Sequence, residues 1–336
     1  MALAACGGSG DDPVGVVIGA NEESLRVFAD TNGDGLGDQD LADVLARGDT
    51  VTAREVAEAS LIESFPDGGS YSSVDGTLAF AGDGDDLLVT FGPKGDRTTV
   101  RVVDAASIIG NQVVINDSGF YFDLFVQGNR DIADLLDDTA GNGYSIRTGL
   151  FYADDLDDFG FQTRAVLGAE TTDARLATLG TDSATATYGG VASIEVRRAD
   201  AGFRTFNANV FGDLDMNADF GEGTISGRLD NINLSVRTDF NEETEMWGSE
   251  TSDPVAGALI LNETTFSING FSGSVSPNMT LTGDDPGLAA ISTGVDYSGA
   301  FFGPQAEEVG GTISGGGSFE GTDYLAIGSF RAEEVE

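Results

Sequence analysis

The chain has 336 residues, with 57 Asp and Glu against 16 Lys and Arg, a net charge of −41 and no histidine. Its apolar content of 40% supplies a core and excludes general disorder. So acidic a surface repels phosphate and anionic lipid, which excludes nucleic-acid binding and electrostatic attachment to membranes. Without histidine there is no Ser-His-Asp triad, and the commonest zinc and haem ligand is missing. Glycine is abundant at 48, yet the sole lysine, Lys94, belongs to no phosphate-binding loop, and no serine sits in a G-x-S-x-G elbow. Carboxylates are too numerous for any pair of them to signal glycoside hydrolysis. The expectation is a binding or structural protein, not an enzyme.

In chain order, Leu3-Ala4-Ala5-Cys6-Gly7-Gly8 reads as a bacterial lipobox, with Cys6 acylated and residues 1–20 a flexible tether. The alternative is a free surface thiol, because the five residues before Cys6 hold neither a charged nor an apolar signal region. A single cysteine forms no internal disulfide, and no run approaches the roughly 20 apolar residues of a spanning helix. Membrane contact is therefore expected through the N-terminal lipid only. Gly15 to Gly19 predicts a short entry strand. Asp30-Thr31-Asn32-Gly33-Asp34-Gly35-Leu36-Gly37-Asp38-Gln39-Asp40 follows the first half of a calcium loop. Asp30, Asn32 and Asp34 offer side-chain oxygens at positions 1, 3 and 5, Gly35 allows the turn, and Leu36 offers its carbonyl. Position 12 is Leu41 and not Glu, so Asp38 or Asp40 would have to close the site, as in the thrombospondin-type repeats that the loop resembles. The plainer alternative is an acidic turn capping a helix.

Short helices are expected over Ala42–Arg47 and Thr52–Ser64. Thr52 and Glu55 fit a capping box, and Val56, Ala59 and Ile62 share a face. Strands are predicted at 76–81, 87–91, 98–103, 112–115, 120–126, 143–153 and 159–167, with Gly82 to Asp86 as a hairpin turn and one helical turn near 132–138. Residues 168–183 read as a linker. From Ala186 to Ala332, segments such as Thr224-Ile225-Ser226-Gly227-Arg228-Leu229 alternate polar and apolar, which turns one set of side chains inward. Many even strands with no free edge predict a closed antiparallel barrel. Two long connections interrupt it, 239–250 and 276–290. The first carries Phe240, Met246 and the only tryptophan, Trp247, and is the candidate partner-binding loop. The alternative is that Trp247 closes one end of the barrel.

Asp219-Phe220-Gly221-Glu222-Gly223-Thr224-Ile225-Ser226-Gly227-Arg228-Leu229 is similar to the D-F-x-x-G-T-x-x-G-x-L segment of transferrin-binding protein B-like surface lipoproteins. Gly299 to Gly311 resembles that family's G-x-F-Y-G-P-x-A-x-E-x-G-G, with Phe302 in place of Tyr, and Ala184 to Gly190 resembles the strand entering its barrel. These matches cover roughly the last 150 residues; the preceding half matches loosely. The resemblance implies an all-β protein, with a C-terminal eight-stranded antiparallel barrel (184–336) after a smaller handle-like sheet domain with one or two short helices (21–183). It further implies a lipid-anchored protein of the bacterial outer membrane, facing the cell surface. Such a protein captures a protein or small ligand, iron- or haem-related cargo among the candidates, for an outer-membrane uptake receptor. Two other readings stand beside it: a calcium-stabilised structural or adhesive lipoprotein, with Ca2+ at the 30–40 loop, and a lipocalin-like carrier with a hollow barrel.

Overall fold

The computed structural model describes residues 15–17, 54–55, 58–64, 72–74, 76–83, 85–93, 98–103, 105–117, 120–128, 130–135, 143–154, 159–168, 170–198, 206–241, 246–251, 255–278, 294–319 and 322–335. The amino-terminal strands are β1 (Gly15–Val17), β2 (Arg54–Glu55), β3 (Glu58–Ser64), β4 (Ser72–Val74), β5 (Gly76–Asp83), β6 (Asp86–Pro93), β7 (Thr98–Val102), β8 (Gln112–Asp117), β9 (Phe120–Val126), β10 (Ser145–Asp154) and β11 (Phe159–Gly168). They form two sheets, ordered β1-β7-β6-β5-β2 and β4-β3-β11-β10-β9-β8. Phe80, Val89, Phe91 and Val100 of the first pack on Phe122, Leu124, Leu150 and Leu167 of the second, all buried. Phe91 meets Tyr152 across the sandwich with ring centroids 4.9 Å apart. The expected hairpin at Gly82 to Asp86 forms, with Asp83 opposite Asp86. The helical turn expected near 132–138 is a short 3-10 turn at Ile132–Leu135.

Two local expectations are corrected. The Thr52–Ser64 helix is not formed: Arg54–Glu55 and Glu58–Ser64 are strands, and β3 lies along β11 from Glu58 opposite Val166 to Ser64 opposite Gly160. A segment of mixed propensity goes where tertiary pairing takes it, and the exposed flank of β11 offers a full ladder of hydrogen bonds. Conversely, the expected linker contains a nine-residue helix, α1 (Asp173–Thr181), capped by Thr172, whose hydroxyl accepts from the Arg175 N–H at 3.3 Å. Only Leu176 and Leu179 of α1 are buried, too few to betray a helical period.

The remaining strands are β12 (Thr185–Arg198), β13 (Phe206–Asp219), β14 (Thr224–Asn241), β15 (Met246–Thr251), β16 (Ala258–Ile268), β17 (Gly270–Asn278), β18 (Val295–Phe302), β19 (Glu308–Phe319) and β20 (Thr322–Glu334). Eight of them close in the cycle β12-β13-β14-β16-β17-β18-β19-β20, every pair antiparallel, while β15 lengthens the free flank of β14. β13 and β14 each carry turn-prone residues in mid-strand, Gly212-Asp213 and Asp230-Asn231. Both run through, because the register shifts between Phe211 and Asp213, opposite Asn231. Leu229 and Ile232, three apart, are both buried in the barrel core, and a bulge absorbs the extra residue. Asn231 takes the left-handed conformation there, with φ 50°, and its amide donates to Asp213 at 2.7 Å.

Candidate functional site

The two barrel ends differ. At one end the chain enters through α1, and the turns between β13 and β14, β16 and β17, and β18 and β19 meet there. Phe301 is the hub, with ring centroids 5.0 Å from Phe266, 5.2 Å from Phe220 and 5.7 Å from Phe271. The Tyr188 hydroxyl donates to the Ala306 carbonyl at 2.8 Å, and burial, then Glu334 and Glu307, raise its pKa. Asn269, in the turn between β16 and β17, latches the entry segment. Its amide donates to the carbonyls of Thr171 and Phe301, each at 2.8 Å, its oxygen accepts from the Phe301 N–H at 2.7 Å, and its own N–H donates to Asp173 at 3.0 Å. Tyr188, Phe220, Phe301 and Ala306 all belong to the three quoted segments, so those segments encode a plugged barrel end.

Above this plug the interior is filled. Met216, Leu229, Phe271, Tyr297 and Phe330 are buried in one cluster, as suits eight strands. The Tyr297 hydroxyl donates to the Asn262 carbonyl at 2.6 Å, and burial, then Glu263, push its pKa up to about 12. These inward side chains are bulky, whereas a hollow, lipocalin-like barrel calls for small ones.

The opposite end receives the connections after β12, β14, β15, β17 and β19. Here β14 outruns its neighbour: β13 pairs with it as far as Val236, whereas β14 continues to Asn241 with β15 alone as partner. The candidate residues are brought together on the last two rungs of this ladder, Phe240 opposite Trp247 and Asn241 opposite Met246. The acidic stretch expected to be a loop is thus largely a hairpin. Its acidic and polar residues show no apolar alternation, which is why its strands read as loop.

A polar weld holds the barrel to the β3-β11-β10 side of the sandwich. On β12, Glu195 is buried and accepts from Arg164 of β11 at 2.6 Å, from Arg197 at 2.5 Å and from Gln162. Burial pushes the Glu195 carboxyl up, but Arg197 and Arg164 outweigh it and hold the group below its ordinary value. On β19, Glu308 accepts from the N–H groups of Tyr144 and Ser145 at 2.8 and 2.9 Å, from the Ser145 hydroxyl at 2.6 Å and from Arg331 at 2.7 Å. Arg147 donates to the Ser329 carbonyl at 3.2 Å, and burial, then Arg331, lower its pKa to about 10. Phe302, where the family has Tyr, is fully buried against Val166 and Ala300 in the same seam. Sequence reasoning missed Glu195, Arg164 and Arg197, whose charges alternate with apolar neighbours as on any half-exposed strand.

Cys6 and the calcium candidates Asp30, Asn32, Asp34, Leu36, Asp38 and Asp40 lie outside the described residues. Among the described residues no group of three or more Cys, Asp or Glu is placed to hold a metal ion, and no helix is long and apolar enough to cross a membrane.

No curated protein matches the chain. Residues 181–334 match the family model described as the C-lobe and N-lobe β-barrels of Tf-binding protein B. Among solved structures, intact transferrin-binding protein B with both lobes is 14% identical with a TM-score of 0.36, over 81% of this chain and 60% of that one. Isotype 1 transferrin-binding protein B from serogroup B Neisseria meningitidis is 16% identical with a TM-score of 0.37, over 80% of this chain and 53% of that one. HpuA from Kingella denitrificans, solved in complex with human haemoglobin, is 14% identical with a TM-score of 0.34, over 86% of this chain and 90% of that one. The chain thus spans little more than half the length of the first two. With its closed eight-stranded cycle and the three motif segments at its plugged end, the carboxy-terminal portion of this chain is a β-barrel of the transferrin-binding protein B type.

Proposed function

We propose that this is a non-catalytic bacterial surface protein that captures a protein ligand of the transferrin or haemoglobin kind. In this reading, Cys6 carries the lipid anchor on the tether of residues 1–20, residues 21–183 form the supporting part, and the barrel of residues 184–336 displays Phe240, Met246 and Trp247. Cargo then passes to an outer-membrane uptake receptor. The observation that carries the proposal is the match of residues 181–334 to the Tf-binding protein B barrels, together with a β14–β15 hairpin that brings the candidate residues onto adjoining rungs at one end of the barrel. Aromatic and Met side chains on a rigid support are the usual anchors of protein interfaces.

Biosensor titration of the lipid-free chain against human transferrin, human haemoglobin and haemin tests this. One of the two proteins is expected to bind saturably, with a loss of about tenfold or more in Phe240→Ala and Trp247→Ala. Saturable binding of neither, or full binding by both variants, overturns the assignment. Mass spectrometry of the native N-terminus checks the anchor: an acylated Cys6 is expected.

A further inference from the structure

The second sheet is covered unevenly. The barrel packs on β3, β11 and part of β10, through Glu195 on Arg164 and through Ala300 and Phe302 on Val166. The same face continues over β9 and β8, where cross-strand rows are Gln112-Phe125-Gly149-Arg164 and Val114-Asp123-Phe151-Gln162. There Val114 is 45% exposed, and Tyr121, Asp123, Phe125 and Phe151 are half-buried. Ile109, just ahead of β8, is 94% exposed. Gly149 makes this shelf flat: a Cβ there would lie 2.3 Å from the Phe125 ring, which instead spreads across the strand beneath the Arg164 guanidinium, 4.8 Å above. Tyr121 stands edge-on to Phe151 at 5.6 Å.

Asp123 is set in this shelf. It accepts from the Gln112 amide at 2.8 Å and lies 3.4 Å from the Tyr121 hydroxyl, and no described cation forms an ion pair with it. Burial raises its pKa, against the pull of Gln112, Tyr121 and Arg164. Burial and Asp123 together push the Tyr121 hydroxyl up to about 12.

The outer edge of β8 ends the sheet among the described residues. Asn111 and Val126 form a hydrogen-bonded pair, with the Val126 N–H donating to the Asn111 carbonyl at 2.8 Å. By alternation, Gln112 opposite Phe125 and Val114 opposite Asp123 are non-bonded pairs, and their N–H and C=O groups point away from β9. Such an edge is a template for another strand.

We propose that the β8 edge and the Val114–Asp123 shelf form a second interaction surface, which takes an extended basic segment of a partner protein as an added strand. A lysine or arginine opposite Val114 lays its methylene stem over the valine and brings its charge to Asp123. The partner is basic because the chain carries −41 and Asp123 has no ion-pair partner among the described residues. A second copy would bring another −41 and set its own Asp123 at the same seam. This surface uses none of the β14–β15 residues and does not depend on their role.

The probe is the end-blocked peptide Thr-Lys-Val-Lys-Val-Lys-Thr, titrated calorimetrically into the full chain at 0.15 M salt. It is expected to bind one to one. N-methylation of its alternate amides and Val114→Pro should each weaken binding about tenfold, since both delete edge hydrogen bonds. Asp123→Asn should weaken it about fivefold, and Asp296→Asn, an exposed acid on the barrel, should change nothing. Four results overturn the proposal: no binding at millimolar peptide, equal binding of the N-methylated peptide, equal binding of a version with Glu for Lys, or self-association of the chain that Val114→Pro abolishes. The N-methylated peptide uses the unaltered chain, so it decides the matter even if Val114→Pro fails to fold.

Discussion

Glu195 has both oxygens engaged by Arg164, Arg197 and Gln162 where barrel and sandwich meet. Glu195→Gln removes the buried counter-charge that Glu195 gives to two guanidinium groups, and is expected to cost about 3–5 kcal/mol in urea unfolding. The carboxyl is held below its unfolded value, so its stabilisation is present above the ordinary carboxylate range and is lost as pH falls through it. Wild type should therefore lose stability steeply below pH about 4, and Glu195→Gln should lose less over the same window. Asn269→Ala strips the latch from the plugged end and leaves the carbonyl of Thr171 and the N–H of Phe301 short of partners. A loss of about 2–3 kcal/mol in the same assay is expected, with α1 losing hydrogen-exchange protection first. Neither residue announces itself in the sequence. Glu195 lies between Ile194 and Val196 like any solvent-facing strand residue, and Asn269 looks like any turn asparagine. Their roles come from elements about 30 and 100 residues away.

Among elements, β14 shows how a strand survives a break in its pattern. The interval between Leu229 and Ile232 reads as a turn, and its mixture of Asp and Asn strengthens that reading. In the fold the extra residue becomes a bulge and the strand runs for 18 residues. Asn231→Val places a β-branched side chain at φ 50° and deletes the bond to Asp213, so a loss of about 2 kcal/mol is expected; Asn231→Gly should stay within about 0.5 kcal/mol of wild type. If both variants unfold alike at the same urea concentration, the left-handed turn carries none of the cost. The helix α1 was hidden for the opposite reason. Its nine residues bury two leucines against the barrel, and so short a helix persists only through its cap and its packing. The β14–β15 hairpin lies in between: Phe240 and Trp247 stand out in the sequence, but their pairing is not visible without a partner strand.

Across the whole molecule, 57 acidic residues against 16 basic ones make self-repulsion a standing cost of the folded state. Raising NaCl from about 0.01 to 0.5 M shortens the screening length severalfold and is expected to raise the melting temperature by several degrees. A fall over that range would mean that the weld ion pairs dominate the surface repulsion. The same salt should weaken a basic ligand at the β8 edge more than an aromatic-anchored one at the hairpin. By itself the sequence determined the all-β class, the closed carboxy-terminal barrel and its kinship, because period-two burial and the motif residues that build the plugged end are local records of which side chains face inward. Only the tertiary structure decided that β3 is a strand, that bulky side chains meet inside the barrel, that Glu195 and Glu308 bind it to the sandwich, and that β8 ends its sheet among the described residues. Pairing, plugging and welding are contacts between distant segments, and no stretch of sequence carries their energy before the chain has closed.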